Sequence, residues 1–512
     1  MKRSSGILLP VTALPSPYGV GTLGKAAFDF VDFLSKAGQS WWQVLPVGPT
    51  GYGDSPYQSF STFAGNPYLI DLTLLAEDGL LDAAALDAAD WGDDPGRVDY
   101  GRLFENRFRF LKQAAEKGLV RDKTAVAAFY EGNKGWLSEY ALFTALKKHF
   151  GMQPWLSWPE EVRTRNPEAL ARYREELQDE IGVQVYIQYL FFSQWQALRQ
   201  YAAARGIGII GDLPIYVAMD SADVWASPES FQLDKHCVPT EVAGVPPDYF
   251  SKDGQLWGNP LYRWDAMKQD GFGWWIRRVE GAVKLFDVLR IDHFRGFESY
   301  WAVPYGETTA RNGQWKAGPG MDLVGVLTGW FYHVPFIAED LGLLTPAVRK
   351  LLSDSGLPGM KVLEFAFDDS ENNAYLPHNI PSHSVCYVGT HDNPPVAEWR
   401  NTADADEVCK AQRYLNLTEE EGYHWGMIRG GMSSAAELFV AQMQDCLGLG
   451  EASRMNTPGE SVGNWTWRLT NGQLTEELAQ RLASYTALFG RSNPVGANRT
   501  TPKERKAAEA MK

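Results

Sequence analysis

The chain has 512 residues, 45% hydrophobic and 22% charged, the composition of a folded globular protein rather than a disordered one. Its formal charge of -15 argues against partners held through phosphate contacts, so neither nucleic acid nor an anionic membrane surface is expected. A neutral ligand, or one that becomes cationic during reaction, suits this balance, and 19 Trp among the aromatics suit stacking on flat ligand faces as well as core packing.

In chain order, short apolar or β-branched runs recur at 6–11 (GILLPV), 41–47 (WWQVLPV), 206–217 (GIGIIGDLPIYV), 287–294 (DVLRIDHF), 333–342 (HVPFIAEDLG), 360–367 (MKVLEFAF), 384–393 (SVCYVGTHDN) and, more weakly, 438–446 (LFVAQMQDC). Continuous apolar runs interleaved with helical patterns are the signature of parallel strands covered by helices, and these eight predict an α/β fold, a (β/α)8 barrel spanning 1–512. Their spacing is uneven. The charged, helix-rich stretch 73–205 is far longer than one crossover needs and is expected to be an inserted subdomain. A second insertion, 218–283, is rich in Pro, Gly and aromatics, which suits an ordered loop carrying a lid over a site rather than a helix. The last residues, 501–512, read as a solvated helix end or a tail.

Four cysteines, Cys237, Cys386, Cys409 and Cys446, lie far apart in no metal-binding spacing and are expected as reduced thiols of a cytoplasmic protein. The N-terminal apolar run is interrupted by Pro10 and is too short for a secretory signal, and no run is long enough to span a bilayer. Two short patterns are set aside. GVGTLG at 19–24 is separated from its strand by prolines and lacks a following acid for a ribose. GESVG at 459–463 lacks the strand and helix that make a nucleophile elbow.

Chemistry is expected at the strand ends, because barrel enzymes build their sites from the C-terminal ends of different strands. Four runs end in acids: Asp212, Asp292, Glu339 and Asp392. One such acid is usually a helix cap, and Asp340 is expected to be a helix N-cap or first-turn acid. Four acids converging on one volume repel each other, a cost tolerated mainly where chemistry uses it. Paired carboxylates flanking a bond are the apparatus of glycoside chemistry. Within DVLRIDHF, Arg290 and Asp292 point to the same side of a strand, so Arg290 is expected to hold Asp292 ionised as a nucleophile. Glu339, crowded by acids, is expected to have a raised pKa and remain a proton donor.

Long ordered stretches then carry a resemblance: GILLPVTALPSPYGVGTLG, GDSPYQSFSTFAGNPYLIDL, GDLPIYVAMDSADVW, GVPPDYFSKDGQLWGNPLYRW, LRIDHFRGFESYWAVP, IAEDLG, GTHDNPP and RMNTPGESVGNWTWR. The chain resembles the amylomaltase, or 4-α-glucanotransferase, family of the α-amylase superfamily along nearly its whole length. The resemblance implies a barrel with inserted subdomains and transfer of α-1,4-glucan segments between maltooligosaccharides or longer α-glucans. No cofactor is expected, and because the sequence holds no dedicated calcium-loop pattern, any bound metal is expected to be structural. The resemblance implies Asp292 as nucleophile, Glu339 as general acid/base and Asp392 as transition-state stabiliser. Arg290 and His391 resemble the flanking residues that bind the nucleophile and sugar hydroxyls, Asp212 the acid of the first conserved strand motif, and Tyr57 a donor-side aromatic. Asp248, Tyr249, Phe250, Trp257 and Asn259 lie in the stretch that resembles the lid over the acceptor side. A hydrolase of the same superfamily would use the same carboxylates, and a non-catalytic glycan-binding barrel would use none of them.

Overall fold

Each of the eight apolar runs contains a strand. The structure is a computed structural model that describes residues 2–493 apart from 52, 248–250, 343 and 461; the expected tail at 501–512 and Ser461 of the glycine pattern lie outside the described residues. In chain order the strands are β1 (Ser4–Leu8), β2 (Trp41–Gln43), β3 (Gly208–Leu213), β4 (Glu241–Val245), β5 (Gln255–Pro260), β6 (Val288–Ile291), β7 (Ser299–Pro304), β8 (Gln314–Ala317), β9 (Phe336–Ala338), β10 (Gly359–Val362), β11 (Ser384–Tyr387) and β12 (Leu438–Gln442). A closed barrel runs β1-β12-β11-β10-β9-β6-β3-β2, with neighbours parallel throughout. This is the (β/α)8 barrel expected from the pattern of runs.

The interior of the barrel is a packed cluster that includes Leu8, Ile210, Val288, Ile337, Met360, Val385, Leu438 and Val440. Side chains two apart on a strand share a face, so the inward direction of Ile210 and Val288 also turns Asp212 and Arg290 inward. Register completes the placement. Ile210 pairs with Val288, and Asp212 lies directly beside Arg290 on the neighbouring strand.

Between β2 and β3 the chain forms long helices, Tyr100–Arg121, Lys123–His149 and Gln178–Ala204. The first begins where the Asp99 side chain accepts from Arg102 N, satisfying an N–H that the helix itself leaves free. Trp195 on the third helix donates to Leu285 O, which fastens this layer to the end of the helix that leads into β6. Between β3 and β6, where an ordered loop is expected from composition, the structure has β4, β5 and the helix Gly273–Leu285. With β7 and β8 these strands form a separate antiparallel sheet in the order β5-β4-β7-β8. The sheet is hard to read locally because its strands are short and come from two stretches of sequence. Among the described residues, no helix is long and apolar enough to cross a membrane.

Candidate active site

The polar residues collect where the strands end. Asp292 follows β6 directly, and backbone bonds carry the ladder beyond the strands: Asp292 N donates to Leu213 O and Glu339 N to Ile291 O, each at 3.0 Å. Glu339 follows β9 in the same way, so the two acids leave neighbouring strands at the same rim.

Arg290 lies underneath. Its Nη1 is 2.6 Å from both carboxylate oxygens of Asp212 and 3.1 Å from Asp292 Oδ1. The main partner of the guanidinium is therefore Asp212, which is beside it by register, and Asp292 is its second. Nothing local in the sequence shows this, because register is set across strands. The Asp212 side chain is fully buried, and its counter-charge is what makes that burial tolerable.

Tyr57, in the loop after β2, donates from Oη to Asp212 Oδ2 at 2.7 Å. Burial first, then the charge of Asp212, hold its pKa well above the ordinary tyrosine value, so it keeps the proton it donates. His391 Nε2 is 2.9 Å from the same Oη. Because the phenol proton is directed to Asp212, the imidazole N–H is the donor in this second bond. Burial lowers the pKa of His391, which keeps the ring neutral, and it stacks on Tyr57 with centroids 5.2 Å apart. Trp465 packs against both rings.

Asp392 stands at the far end of this chain of contacts. Its Oδ2 is 3.5 Å from His391 Nε2, its Oδ1 accepts from Asn456 Nδ2 at 2.6 Å, and its carbonyl accepts from Arg454 at 2.9 Å. Arg454, Asn456 and Trp465 were not singled out from the sequence, although all three lie in the RMNTPGESVGNWTWR stretch. Their signal was a cation, an amide and an aromatic in a segment with no periodicity, which only proximity to Asp392 makes meaningful.

Glu339 is bound differently. Its Oε2 accepts from His293 N at 2.6 Å and its Oε1 from Leu341 N at 2.8 Å. The first bond depends on His293 adopting a left-handed conformation, φ 48°, which is uncommon outside glycine and turns its N–H toward the carboxyl group. Burial pushes Glu339 up to about 7, against Arg290 and the two N–H groups. The leading cause is thus burial rather than the crowding by acids expected from the sequence. Burial also lifts Asp292 well above the ordinary range, opposed by Arg290 and reinforced by Asp212, Glu339 and Asp392. Two acids this close titrate as a pair. Arg290 acts on both carboxyls but touches only Asp292, which favours the charge there against the burial that raises each.

The remaining expected residues are placed as follows. Trp257, on β5, meets the His293 ring edge-on with centroids 4.9 Å apart, at the mouth of the acid cluster. Asn259 is buried, donates to Val217 O at 2.9 Å and accepts from Gln58, so it ties β5 to the loops beside Tyr57. Asp248, Tyr249 and Phe250 lie outside the described residues. Asp340 caps no helix; it accepts from Met360 N at 2.6 Å and pairs with Lys361, joining β9 to β10. The helix that follows is capped by Thr345 instead. Among the described residues, no group of three or more His, Cys, Asp or Glu side chains is arranged to hold a metal ion.

A closed parallel barrel whose C-terminal rim gathers Asp292, Glu339 and Asp392 above a buried Arg–Asp pair defines a barrel enzyme equipped for glycosidic bonds. Comparison with known proteins gives the family. The sequence profile described as 4-alpha-glucanotransferase matches residues 9–475. A 4-alpha-glucanotransferase of Thermus thermophilus is 51% identical over 493 residues, covering 94% of this chain and 98% of its own. One of Clostridium butyricum is 46% identical over 483 residues, covering 94% of this chain and 99% of its own. The solved amylomaltase of Streptococcus agalactiae in complex with acarbose superposes with a TM-score of 0.94 at 40% identity, covering 96% of this chain and all of that one. Amylomaltase from Corynebacterium glutamicum, at 17% identity and TM-score 0.74 over 96% of this chain and 75% of its own, shares the fold. The chain belongs to the 4-α-glucanotransferase family.

Proposed function

We propose that the protein is a 4-α-glucanotransferase that moves segments of α-1,4-glucan from one maltooligosaccharide or longer α-glucan to the 4-hydroxyl of another. The observation that carries this reading is the asymmetry of the two rim acids: Asp292 touches a guanidinium, and Glu339, lifted to about 7, does not. Asp292 Oδ attacks C1 of the sugar while Glu339 gives its proton to the departing 4-oxygen, which breaks the glycosidic bond and leaves a glycosyl ester on Asp292. The 4-hydroxyl of an acceptor glucan then attacks C1, Glu339 takes its proton back, and the ester breaks. Two inversions at C1 retain the α configuration.

Asp392 faces the positive charge that develops on the ring between these steps; Asn456 holds its carboxylate and Arg454 its backbone carbonyl. Arg290 fixes Asp292, Asp212 fixes Arg290, and Tyr57 with His391 offers hydrogen-bonding edges to the donor sugar. Transfer to sugar rather than water requires an acceptor side that excludes water. Trp257 is its described member, and Asp248, Tyr249, Phe250 and the segment 218–283 around them are assigned to the lid.

Incubation with maltotriose tests the reading. A ladder of glucose and longer maltooligosaccharides at a constant number of reducing ends is expected. Rising reducing ends would mean hydrolysis by the same carboxylates, and no turnover at all would leave a glycan-binding barrel.

A further inference from the structure

The turn after β10 holds an acid that the transfer steps do not use. Glu364 is 4% exposed, and among the described residues neither of its carboxyl oxygens has a hydrogen-bond partner. The same is true of Gln442 Nε2, at the end of β12, and of Asp445 Oδ2, in the short helix Met443–Leu447 that follows. Glu364 and Gln442 lie beneath Gly389. A Cβ placed there would stand 2.8 Å from Glu364 Oε1, 3.0 Å from Gln442 Nε2 and 3.0 Å from Asn393 Cβ, so glycine is what lets Glu364 and Gln442 come up against the backbone.

The backbone they support carries His391 and Asp392. Asn393 Oδ1 accepts from Thr390 N at 3.0 Å and from Thr390 Oγ1 at 2.9 Å, closing the turn on itself and leaving the Asn393 amide N–H groups to bear on Glu364 without a hydrogen bond of ordinary geometry. On the other side Asp445 Oδ1 accepts from Val396 N at 2.8 Å, fixing the chain as it leaves the turn. Arg454, which grips the Asp392 carbonyl, also draws on Glu364 electrostatically. Burial first and Asp445 second hold the Glu364 carboxyl well above the usual range, so it is a neutral group with an O–H to donate and a carbonyl to accept.

We propose that Glu364 is a positioning residue for the transfer reaction: by packing under Gly389 beside Asn393, it fixes the turn that presents Asp392 to the sugar. This rests on the reading of Asp392 as transition-state stabiliser. Glu364 itself touches neither sugar nor the reacting carboxylates, and it works through the direction of one side chain.

The test is a double-mutant cycle on the full chain, with kcat and KM measured on maltotriose and residual rates on a maltosyl fluoride donor. Glu364→Ala is expected to lower kcat by about 10²-fold, the scale of a misplacement of about 1 Å, while KM moves less than about threefold. The conservative Glu364→Gln, which keeps the shape and neutrality, restores kcat to within about threefold. In an Asp392→Asn background the same Glu364→Ala change costs less than about threefold, because the residue it positions is gone. Full additivity of the two losses overturns the proposal, and so does a Glu364→Gln variant as slow as Glu364→Ala. Glu364→Asp, which withdraws the carboxyl from Asn393, replaces Glu364→Ala in the cycle if the alanine variant does not fold. Asp392→Asn at full rate alone would instead overturn the role given to Asp392, so the two failures are distinct.

Discussion

Two pairs of acids occupy the rim of this barrel, and burial lifts carboxyl groups in both, yet they are built in opposite ways. Asp292 and Glu339 meet donors aimed at them: a guanidinium at 3.1 Å for one, two backbone N–H groups for the other, with the Asp292 side chain still 24% exposed beside the more buried Glu339, at 8%. Glu364 and Asp445 are sealed, 4% and 1% exposed, and three of their four oxygens have no hydrogen-bond partner among the described residues. A raised pKa alone therefore does not mark the reacting groups; access to a ligand together with directed donors does. The open pair can exchange a proton with a sugar. The sealed pair can only hold one.

The sharpest way to break this contrast is at the open pair. Asp292→Asn is expected to lower kcat by roughly 10⁴-fold or more, the scale on which loss of a nucleophile acts, with glucan binding retained in a calorimetric titration. Near-normal turnover would remove Asp292 from the chemistry.

The next effect falls on stability. Asp212→Ala leaves the Arg290 guanidinium buried without its main partner, and denaturant unfolding is expected to show a loss of about 3–5 kcal/mol. An unchanged midpoint would mean that Asp292 alone can compensate Arg290.

A third test reads the proton on Glu339. Its carboxyl stays protonated below about 7 and loses the proton above it, so the acid needed to release the leaving group disappears as pH rises. kcat/KM on maltotriose should accordingly fall about tenfold per pH unit on the alkaline side of that value. A flat profile from 6 to 9 would contradict the assignment of the donor.

The smallest effect belongs to the sealed pair. Burial pushes Asp445 up to about 7 in the folded protein, above its unfolded value, so the folded state binds more protons between the two values and stability from this group falls as pH rises through that window. Asp445→Asn keeps an acceptor for Val396 N and removes the titration. Relative to the parent, its melting temperature is expected to improve as pH goes from about 5 to 7, by a few degrees at most. A difference independent of pH would show that Asp445 is not held protonated.

Much of this was legible from the sequence because it is local. Eight apolar runs announce eight parallel strands, and a period of two places Arg290 and Asp292 on one side of β6. The acids Asp212, Asp292, Glu339 and Asp392 stand at run ends that a barrel must bring together. The antiparallel sheet was not legible, since β4, already paired with β5, takes its other neighbour β7 from beyond the next barrel strand. Glu364 sits inside an apolar run and Asp445 near the end of another, but they carry no local mark that separates them from an ordinary solvated acid.

By itself the sequence determined the strand pattern, the inward direction of alternate residues and the family, because each depends on residue type and spacing along the chain. Only the tertiary structure decided that Arg290 belongs first to Asp212, 78 residues away, since register across strands sets that neighbour. It also decided which acids open to the cleft and which are sealed, Glu364 among them beneath Gly389, because burial and the donors that meet a carboxyl come from chain segments far apart in sequence.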